Sequence, residues 1–333
     1  MADQGVRAPI LSLRDLRVTF PTAAGPARAV RGVDLDVFAG ESVAVVGESG
    51  SGKSVTMLAT LGLLHKAEVT GSVKYGTTEL VGANVDTLRS VRGRRISMVF
   101  QDPMTSLNPV LSIAKQMALV MQAHQPGLSK KDCRAKAVAL LDQVAIPQAN
   151  RRVDAYPHEL SGGMRQRVMI AMSIANDPEV LIADEPTTAL DVTVQAQIME
   201  LLRNLRDEKN LALVLITHDL GVVAGSCDRV AVMYAGRMVE RAPVLDVFAR
   251  PSHPYTRALL ACLPRLDQKH DVISSIGGTP PNPADLPPGC PFAPRCPLAV
   301  PSCSQVEPAL EHFGVSEVAC PVVTGGSPAE LFK

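Results

Sequence analysis

The first part of the chain alternates between apolar and polar residues. Over residues 10–37 this alternation is broken by the turn-forming residues Pro21, Gly25 and Pro26. Such a pattern is typical of short antiparallel strands joined by tight turns. We therefore predict a small antiparallel β lobe at the start of the fold.

Three later segments are continuous apolar runs, at Ser42–Val46, residues 180–183 and residues 211–216. Strands buried on both faces of a parallel sheet have this composition. The first run leads into a glycine-rich loop, and residues 53–64 then show the apolar spacing of a helix. Parallel strands connected by helices predict an α/β core.

Residues 101–176 have a helical character and predict a helical lobe inserted into this core. Ser129 is placed to cap a helix over residues 130–144, and a second helix is expected over residues 162–175. Beyond Asp219 we expect a strand at 230–234, a turn at Gly236 and a helix at 255–263.

The last part of the chain differs sharply in composition, because prolines crowd together in it. They are Pro280, Pro281, Pro283, Pro287, Pro288, Pro291, Pro294, Pro297 and Pro301. Proline lacks a backbone donor, so we expect no regular core element in this tail. The sequence thus predicts two domains, a core domain at residues 1–265 with the helical lobe at about 101–176, and an extension at residues 266–333.

Composition limits the classes of function. The 333 residues can bury a large core, and the 33 basic and 33 acidic residues cancel, so no overall field favours nucleic acid as a partner. The apolar runs are far shorter than the roughly 20 residues that span a bilayer. The N-terminus lacks the features of a secretory signal, which predicts that the seven cysteines lie in a reducing cytosol.

The glycine-rich loop matches the phosphate-binding pattern G-x-x-x-x-G-K-[ST] at every position. Its residues are Gly47, Glu48, Ser49, Gly50, Ser51, Gly52, Lys53 and Ser54. In such loops the backbone N–H groups and the helix N-terminus bind phosphate oxygens. We expect Lys53 to neutralise the β- and γ-phosphates of a nucleotide and Ser54 to ligate magnesium.

Two further features predict a nucleotide site. Asp184 and Glu185 follow the apolar run 180–183, where Asp184 would help to hold magnesium and Glu185 would act as general base on the attacking water. Ser161, Gly162 and Gly163 stand where a helix should begin, and their small side chains would leave its N–H groups open to a phosphate. Taken alone, two acidic residues after a strand usually form a solvated turn, and a serine followed by glycines is usually a simple helix cap.

The run Ser161, Gly162, Gly163, Met164, Arg165 and Gln166 resembles the signature sequence of ATP-binding cassette (ABC) ATPases. The resemblance implies a cassette fold, with a mostly parallel core sheet, an antiparallel β lobe, a helical lobe and here a Pro/Cys-rich extension. In that family the signature of one subunit closes over the ATP held by another, so the phosphate loop and the signature of one copy would not meet. The resemblance implies that this protein works as a pair.

The resemblance also assigns roles to residues elsewhere in the chain. Gln101 is similar to the glutamine that senses magnesium and the attacking water, and His218 to the switch histidine at the γ-phosphate. Thr188, Ala189, Leu190 and Asp191 resemble the loop that contacts the second cassette. Phe20 resembles the aromatic residue that stacks on adenine, but this match rests only on its distance from Gly47, and a core phenylalanine is an alternative.

Residues 99–109 and 253–259 resemble those of the ATP-binding subunits of dipeptide, oligopeptide and nickel importers, and the similarity extends over residues 11–320. It implies two membrane permease subunits, a solute-binding protein outside the cell and a second, often distinct, cassette. It also implies a peripheral location at the cytoplasmic face of the membrane. The segment after Gln101 is where cassettes of this family contact the permeases.

Two other classes of function stay open at this point. A soluble ABC ATPase acting on nucleic acid or ribosomes would need a long coiled coil or a second cassette, which the sequence lacks. A redox or metal sensor on an inactive cassette conflicts with the complete set of Lys53, Asp184, Glu185 and His218. We therefore expect an ATPase that drives uptake of di- or oligopeptides, with nickel or another small solute as the alternative cargo.

Four of the cysteines cluster in the tail, with the spacing C-x5-C-x6-C-x16-C. They are Cys290, Cys296, Cys303 and Cys320, and proline follows three of them. Four thiols suggest a metal, and a cysteine followed by proline favours a [4Fe-4S] cluster over zinc, with unligated thiols as a further alternative. Some peptide importers are similar in carrying such a cluster. We read Cys133, Cys227 and Cys262 as buried apolar residues.

Overall fold

The computed structural model describes residues 8–23, 25–188, 190–263 and 276–325. The strands are β1 (Leu11–Thr22), β2 (Gly25–Val37), β3 (Ser42–Val46), β4 (Glu68–Tyr75), β5 (Thr78–Glu79), β6 (Ile96–Val99), β7 (Val180–Asp184), β8 (Ala212–Thr217), β9 (Arg229–Tyr234), β10 (Arg237–Pro243), β11 (Glu311–Phe313) and β12 (Ser316–Val318). The α-helices are α1 (Lys53–Thr60), α2 (Val85–Val91), α3 (Pro103–Ser106), α4 (Ile113–Gln122), α5 (Lys130–Gln143), α6 (Ala149–Arg152), α7 (Gly162–Ser173), α8 (Val192–Lys209), α9 (Leu220–Val223), α10 (Val244–Ala249), α11 (Pro254–Ala261) and α12 (Pro321–Thr324).

The described chain divides into two compact units. The first contains residues 8–10, Phe38–Glu41 and Gly82–Ile216, and the second contains Leu11–Val37, Ser42–Val81 and the described residues from Thr217 onward. None of the helices in the described part of the chain is both long and apolar enough to cross a membrane.

The first unit is built on parallel strands. β6 pairs with β7 and β7 with β8, and every residue of these strands is buried. This confirms the prediction of parallel strands covered on both faces. Their Val, Ile, Leu and Ala side chains suit such a position because they need no polar partner on either face.

The segment expected to form a helical lobe is helical in the first unit. It contains α3 to α7, with α5 packed against α4, α6 and α7. The side chain of Ser129 accepts the Asp132 N–H and caps α5, as predicted. Cys133 is buried among these helices, so the reading of this thiol as an apolar core residue is confirmed.

The second unit contains the predicted β lobe. β1 pairs with β2 and β4 in antiparallel fashion, which gives the order β2-β1-β4-β5 and confirms the hairpin expected over residues 10–37. In the same unit β3 runs parallel to β9, and β9, β10, β12 and β11 follow as antiparallel neighbours. Cys227 is buried, as expected, whereas Cys262 is only half-buried at the end of α11, so that prediction was wrong.

Helix α1 is shorter than the sequence pattern predicted. It ends at Thr60, because Gly62 adopts a φ of +60° and the N–H of Leu63 turns back to the carbonyl of Leu58. A glycine at this point stops a helix even where the apolar spacing continues.

The expectation that the tail contains no regular core element was wrong for its last part. β12 pairs with β10 through Glu240 opposite Val318, and Val318 and Val323 are fully buried. The physical reason is that residues 309–320 contain no proline, so their N–H groups are free to enter a ladder. The described part of the proline-dense stretch before them forms short 3-10 turns at Ala293–Arg295 and Pro301–Ser304 and an isolated bridge between Asn282 and Asp285.

Candidate active site

The phosphate loop connects β3 to α1 in the second unit, which confirms the strand, loop and helix order that the motif requires. Gly47 and Gly52 have φ values of +155° and +103°. A Cβ on Gly47 would lie 2.1 Å from the carbonyl oxygen of Met233, and one on Gly52 would lie 2.5 Å from that of Ala29. The loop therefore approaches its neighbours so closely that only glycine fits at these two positions.

The polar residues of the loop are held in a defined arrangement. The Lys53 side chain is buried, and its Nζ donates to the carbonyl oxygens of Gly47 and Glu48 over 2.8 and 3.0 Å. The hydroxyl of Ser51 is buried and has no hydrogen-bond partner among the described residues. A buried donor without a partner is costly, so this hydroxyl is suited to bind an incoming ligand oxygen. Ser54 lies in the first turn of α1.

In the first unit the structure brings three predicted site residues together at the end of β7. Gln101 Nε2 and Thr188 Oγ1 each donate to Glu185 Oε2 over 2.9 Å. The N–H of Glu185 donates to the carbonyl of Ile216 at 2.9 Å, although φ at Glu185 is +45°. A left-handed glutamate is strained, and such strain often occurs at functional sites. Asp184, the preceding residue, is buried.

The signature sequence forms the start of a helix, as predicted. Ser161 is exposed and caps α7 by accepting the N–H of Met164 over 3.3 Å. Gly162 and Gly163 occupy the first turn, and a Cβ on Gly163 would lie 2.8 Å from Cγ1 of Val194. Gln166 is buried, and its Nε2 has no hydrogen-bond partner among the described residues.

The loop expected to contact a second cassette runs from Thr188 to Asp191, and Ala189 in it lies outside the described residues. Asp191 caps α8 by accepting the N–H of Val194 over 3.0 Å. Because Val194 also packs near Gly163, the signature and this loop are neighbours within the first unit.

Two further residues predicted to contact the nucleotide, His218 and Phe20, lie in the second unit with the phosphate loop. His218 is exposed and lies directly between Thr217 at the end of β8 and Asp219, which caps α9. Phe20 is half-buried on β1 opposite Ala27, so it does not belong to the fully buried core.

The four tail cysteines lie near one another. The N–H of Cys290 donates to the carbonyl of Cys303 over 2.7 Å. Burial raises the pKa of the Cys290, Cys296 and Cys320 thiols, and neighbouring thiols raise it further. Within the described ranges, however, no three histidine, cysteine or acidic side chains are grouped closely enough to share a metal ion. The predicted metal cluster is therefore not supported.

Arg295 and Tyr255 hold the second position of the phosphate loop, a role that was not predicted from the sequence. Arg295 Nη1 and Nη2 donate to the Glu48 carboxylate over 2.7 and 2.9 Å, and the N–H of Glu48 donates to the Tyr255 hydroxyl over 2.8 Å. No local pattern marks an ion pair between residues 247 positions apart. The position of Arg295 next to the clustered Cys296 is the one sequence signal that could have drawn attention to it.

Comparisons with known proteins agree with this geometry. Residues 30–188 match the family model "ABC transporter", and residues 239–303 match "Oligopeptide/dipeptide transporter, C-terminal region". The chain is 51% identical over 305 residues to the oligopeptide transport ATP-binding protein OppD of Salmonella typhimurium, a match that covers 91% of this chain and 90% of that protein.

A second relative is the OppD of Mycobacterium tuberculosis, 51% identical over 332 residues, or 98% of this chain. The chain spans only about half the length of that relative, since the match covers 54% of it. Among solved structures, the ATP-binding cassette MJ0796 bound to ADP and Pi superposes with a TM-score of 0.64 at 31% identity, covering 70% of this chain and 98% of that one. By these matches and by its phosphate loop and signature helix, the chain belongs to the ABC transporter family.

Proposed function

We propose that this chain hydrolyses ATP as the nucleotide-binding subunit of an importer for oligopeptides. The observation that supports it most is the arrangement at Glu185, whose carboxylate accepts hydrogen bonds from Gln101 and Thr188. A carboxylate held in one orientation at the end of a strand is suited to take a proton from a water molecule. The names of the relatives point to peptides as the cargo.

In this proposal the phosphate loop binds the triphosphate of ATP. The backbone N–H groups between Gly47 and Ser54 and the start of α1 surround the phosphates, and the Ser51 hydroxyl donates to them. Lys53 exchanges its contacts with the loop carbonyls for contacts with the β- and γ-phosphates. His218 contacts the γ-phosphate, and Phe20 stacks on the adenine ring.

Magnesium would be held by Ser54 and Asp184, with Gln101 near it. Hydroxyl and carboxylate oxygens are the ligands that this ion prefers, so Ser54 and Asp184 each carry a suitable donor. When bound, the ion neutralises the charge that develops on the phosphates. Gln101 orients the attacking water, and Glu185 receives its proton.

A second cassette completes the site in this proposal. Ser161, Gly162 and Gly163 present the N-terminus of the 12-residue helix α7, which favours negative charge. Gln166 and Asp191 belong to the same proposed nucleotide-contacting surface. We propose that it closes over the ATP of the partner cassette, so that ATP binding joins the two cassettes and hydrolysis separates them. The cassette MJ0796, to which this chain is similar, is itself described as dimeric.

The proposed assembly contains this chain at the cytoplasmic face of the membrane, a second cassette, two permease subunits and an extracytoplasmic solute-binding protein. The match of residues 239–303 to the family model "Oligopeptide/dipeptide transporter, C-terminal region" supports this assembly over a soluble ABC ATPase. Nickel is the alternative cargo, because the cassette does not itself contact the solute.

A [4Fe-4S] cluster on Cys290, Cys296, Cys303 and Cys320 is a separate part of the proposal. In its favour, the N–H of Cys290 donates to the carbonyl of Cys303 over 2.7 Å, which brings two of these cysteines together from distant positions in the tail. Iron and acid-labile sulfide analysis after anaerobic purification tests it. A protein without iron would exclude the cluster, and zinc in its place would favour the alternative ion.

The experiment that tests the proposed function is uptake in a strain that lacks the gene. Wild-type protein should restore import of a radiolabelled tripeptide, and Glu185→Gln should not. If the wild-type protein restored uptake of ⁶³Ni²⁺ and not of the tripeptide, the transported solute would be nickel. Full tripeptide uptake with Glu185→Gln would contradict the catalytic role of Glu185.

A further inference from the structure

The second residue of the phosphate loop is held from both sides by the C-terminal part of the chain. Arg295 forms two parallel hydrogen bonds with the Glu48 carboxylate, at 2.7 and 2.9 Å. The Arg295 side chain is only 4% exposed and that of Glu48 is 25% exposed. A paired, largely buried arginine and carboxylate form a bond that is directional as well as strong.

The position of Arg295 is itself fixed by several hydrogen bonds. In addition to Glu48, its guanidinium donates to the carbonyls of Gly277 and Ile276 and to the hydroxyl of Tyr234. These bonds use all five donors that a guanidinium possesses. The Cζ atom of the Arg295 guanidinium also lies about 6 Å from the ring centres of Tyr234 and Phe292. The hydrogen bond with Glu48 raises the pKa of Arg295, so the charge is permanent.

A second contact holds the backbone of the same residue. The N–H of Glu48 donates to the Tyr255 hydroxyl, and Tyr255 is fully buried against the rings of Tyr234 and Phe292. Tyr255 lies in the first turn of α11, where His253 Nδ1 accepts its N–H. Both the main chain and the side chain of Glu48 are therefore positioned by residues beyond position 250.

Glu48 is also the residue whose carbonyl accepts a hydrogen bond from Lys53 Nζ at 3.0 Å. A carboxylate in a loop that binds a triphosphate would repel it unless the charge is neutralised. Arg295 supplies that neutralisation and turns the carboxylate toward the extension. The residue that accepts a hydrogen bond from Lys53 is thus held at its carboxylate by Arg295 and at its N–H by Tyr255.

We propose that Arg295 is a positioning residue for the phosphate loop, through which the C-terminal extension sets the affinity for ATP. The inference rests on the proposed function, in which the loop binds ATP. An extension that folds correctly places Arg295 on Glu48 and prepares the loop, and a disordered extension leaves the Glu48 charge uncompensated.

The test is a binding titration of the full-length chain with MgATP. Arg295→Gln should weaken ATP binding about tenfold, because a charge-assisted pair is lost and a carboxylate is left unpaired. Arg295→Lys should lie between this variant and the wild type, since lysine keeps the charge without the planar fork. The difference should shrink as salt is added, because ions screen the repulsion.

The second part of the binding experiment uses a double substitution. If the unpaired carboxylate weakens binding, Glu48→Gln combined with Arg295→Gln should bind ATP several-fold more tightly than Arg295→Gln alone. A purely structural role for Arg295 predicts no such recovery. Arg241→Gln is the matched control, because Arg241 pairs with Glu317 in the same extension at 2.9 Å and does not contact the phosphate loop. It should bind ATP as the wild type does.

The outcomes separate the two proposals. Thermal unfolding confirms that each variant is folded at the temperature of the titration. Wild-type protein that binds MgATP beside a folded Arg295→Gln of equal affinity would overturn this inference alone, as would a double variant no tighter than Arg295→Gln. Wild-type protein that fails to bind MgATP would overturn the proposed function and the inference with it.

Discussion

The Nε2 of Gln101 donates a hydrogen bond to Oε2 of Glu185 over 2.9 Å, joining the second residue after β6 to the first residue after β7. Because β6 and β7 are parallel neighbours, their carboxyl ends lie at the same edge of the sheet, and this hydrogen bond connects the two chain segments there. Open parallel sheets bind their ligands at this edge. The pair links a proposed water-orienting amide to a proposed general base.

Glu185→Gln should abolish turnover and preserve binding. Loss of a general base lowers the rate by a factor of about 10² to 10⁴, whereas an amide of the same shape keeps the Gln101 contact. Phosphate release and MgATP affinity measured on the same sample check this. Glu179→Gln, at the opposite end of β7, makes the same chemical change away from the site and should leave both unchanged. Equal turnover in the two variants would remove Glu185 from the role of base.

Thr188→Val should lower the rate of hydrolysis about threefold to tenfold without changing ATP affinity, because the hydroxyl that donates to Glu185 Oε2 is lost. Steady-state kinetics separate the two effects. Thr188→Ser keeps the hydroxyl and should recover most of the rate. If valine and serine variants were equally slow, the hydrogen bond would not be the reason for the defect.

Two glycines of the phosphate loop should differ in their tolerance of alanine. Both have positive φ, but a Cβ on Gly50 meets nothing within 4 Å, while one on Gly52 meets the Ala29 carbonyl at 2.5 Å. Gly50→Ala should lower the free energy of unfolding by about 1 kcal/mol from backbone strain. Gly52→Ala should lower it by about 3 kcal/mol or more, since a backbone clash is added. Denaturation of both variants without nucleotide measures their free energies of unfolding. Equal losses in the two variants would contradict the close approach of Gly52 to the Ala29 carbonyl.

The buried His253 should make the protein sensitive to acid. Burial lowers the pKa of His253 to about 3 from its ordinary 6.5, and its Nδ1 accepts the Tyr255 N–H. Between pH 6.5 and 3 the unfolded chain binds the additional proton, so the free energy of unfolding falls as the pH falls through this window.

His253→Asn tests this pH dependence, because asparagine caps a helix without titrating. Its unfolding free energy, measured by denaturation from pH 7 to pH 4, should decline less steeply than that of the wild type. Titration of the nearby Glu240 is common to both proteins and cancels in the comparison. Parallel declines would show that His253 contributes nothing to the acid sensitivity.

Much of the fold could be predicted because it is encoded locally. The run of glycines before Lys53 and the buried strands β3, β7 and β8 each have a signal within a few neighbouring residues. The predicted termini of α1 and α11 were wrong by a few residues, since the apolar spacing continues past the stop at Gly62 and α11 runs over Pro254–Ala261 in place of residues 255–263. The roles of the individual site residues stay predictions.

Contacts between distant segments could not be predicted in the same way. Addition of β12 to β10 and the pairing of Arg295 with Glu48 depend on tertiary packing. The left-handed backbone at Glu185 also has no sequence signal, because a hydrogen bond to Ile216 stabilises a conformation that glutamate rarely adopts alone. The four cysteines were clustered in sequence, but proximity along the chain did not establish a metal-binding geometry.

The concentration dependence of ATP hydrolysis tests the central claim most directly, namely that each ATP is enclosed by the phosphate loop of one cassette and the signature of another. The rate per molecule should fall toward zero on dilution to a concentration at which sedimentation shows only single copies. It should rise again when more of this chain or its partner cassette is added. A sample of verified single copies that hydrolyses ATP at a full and concentration-independent rate would contradict the account.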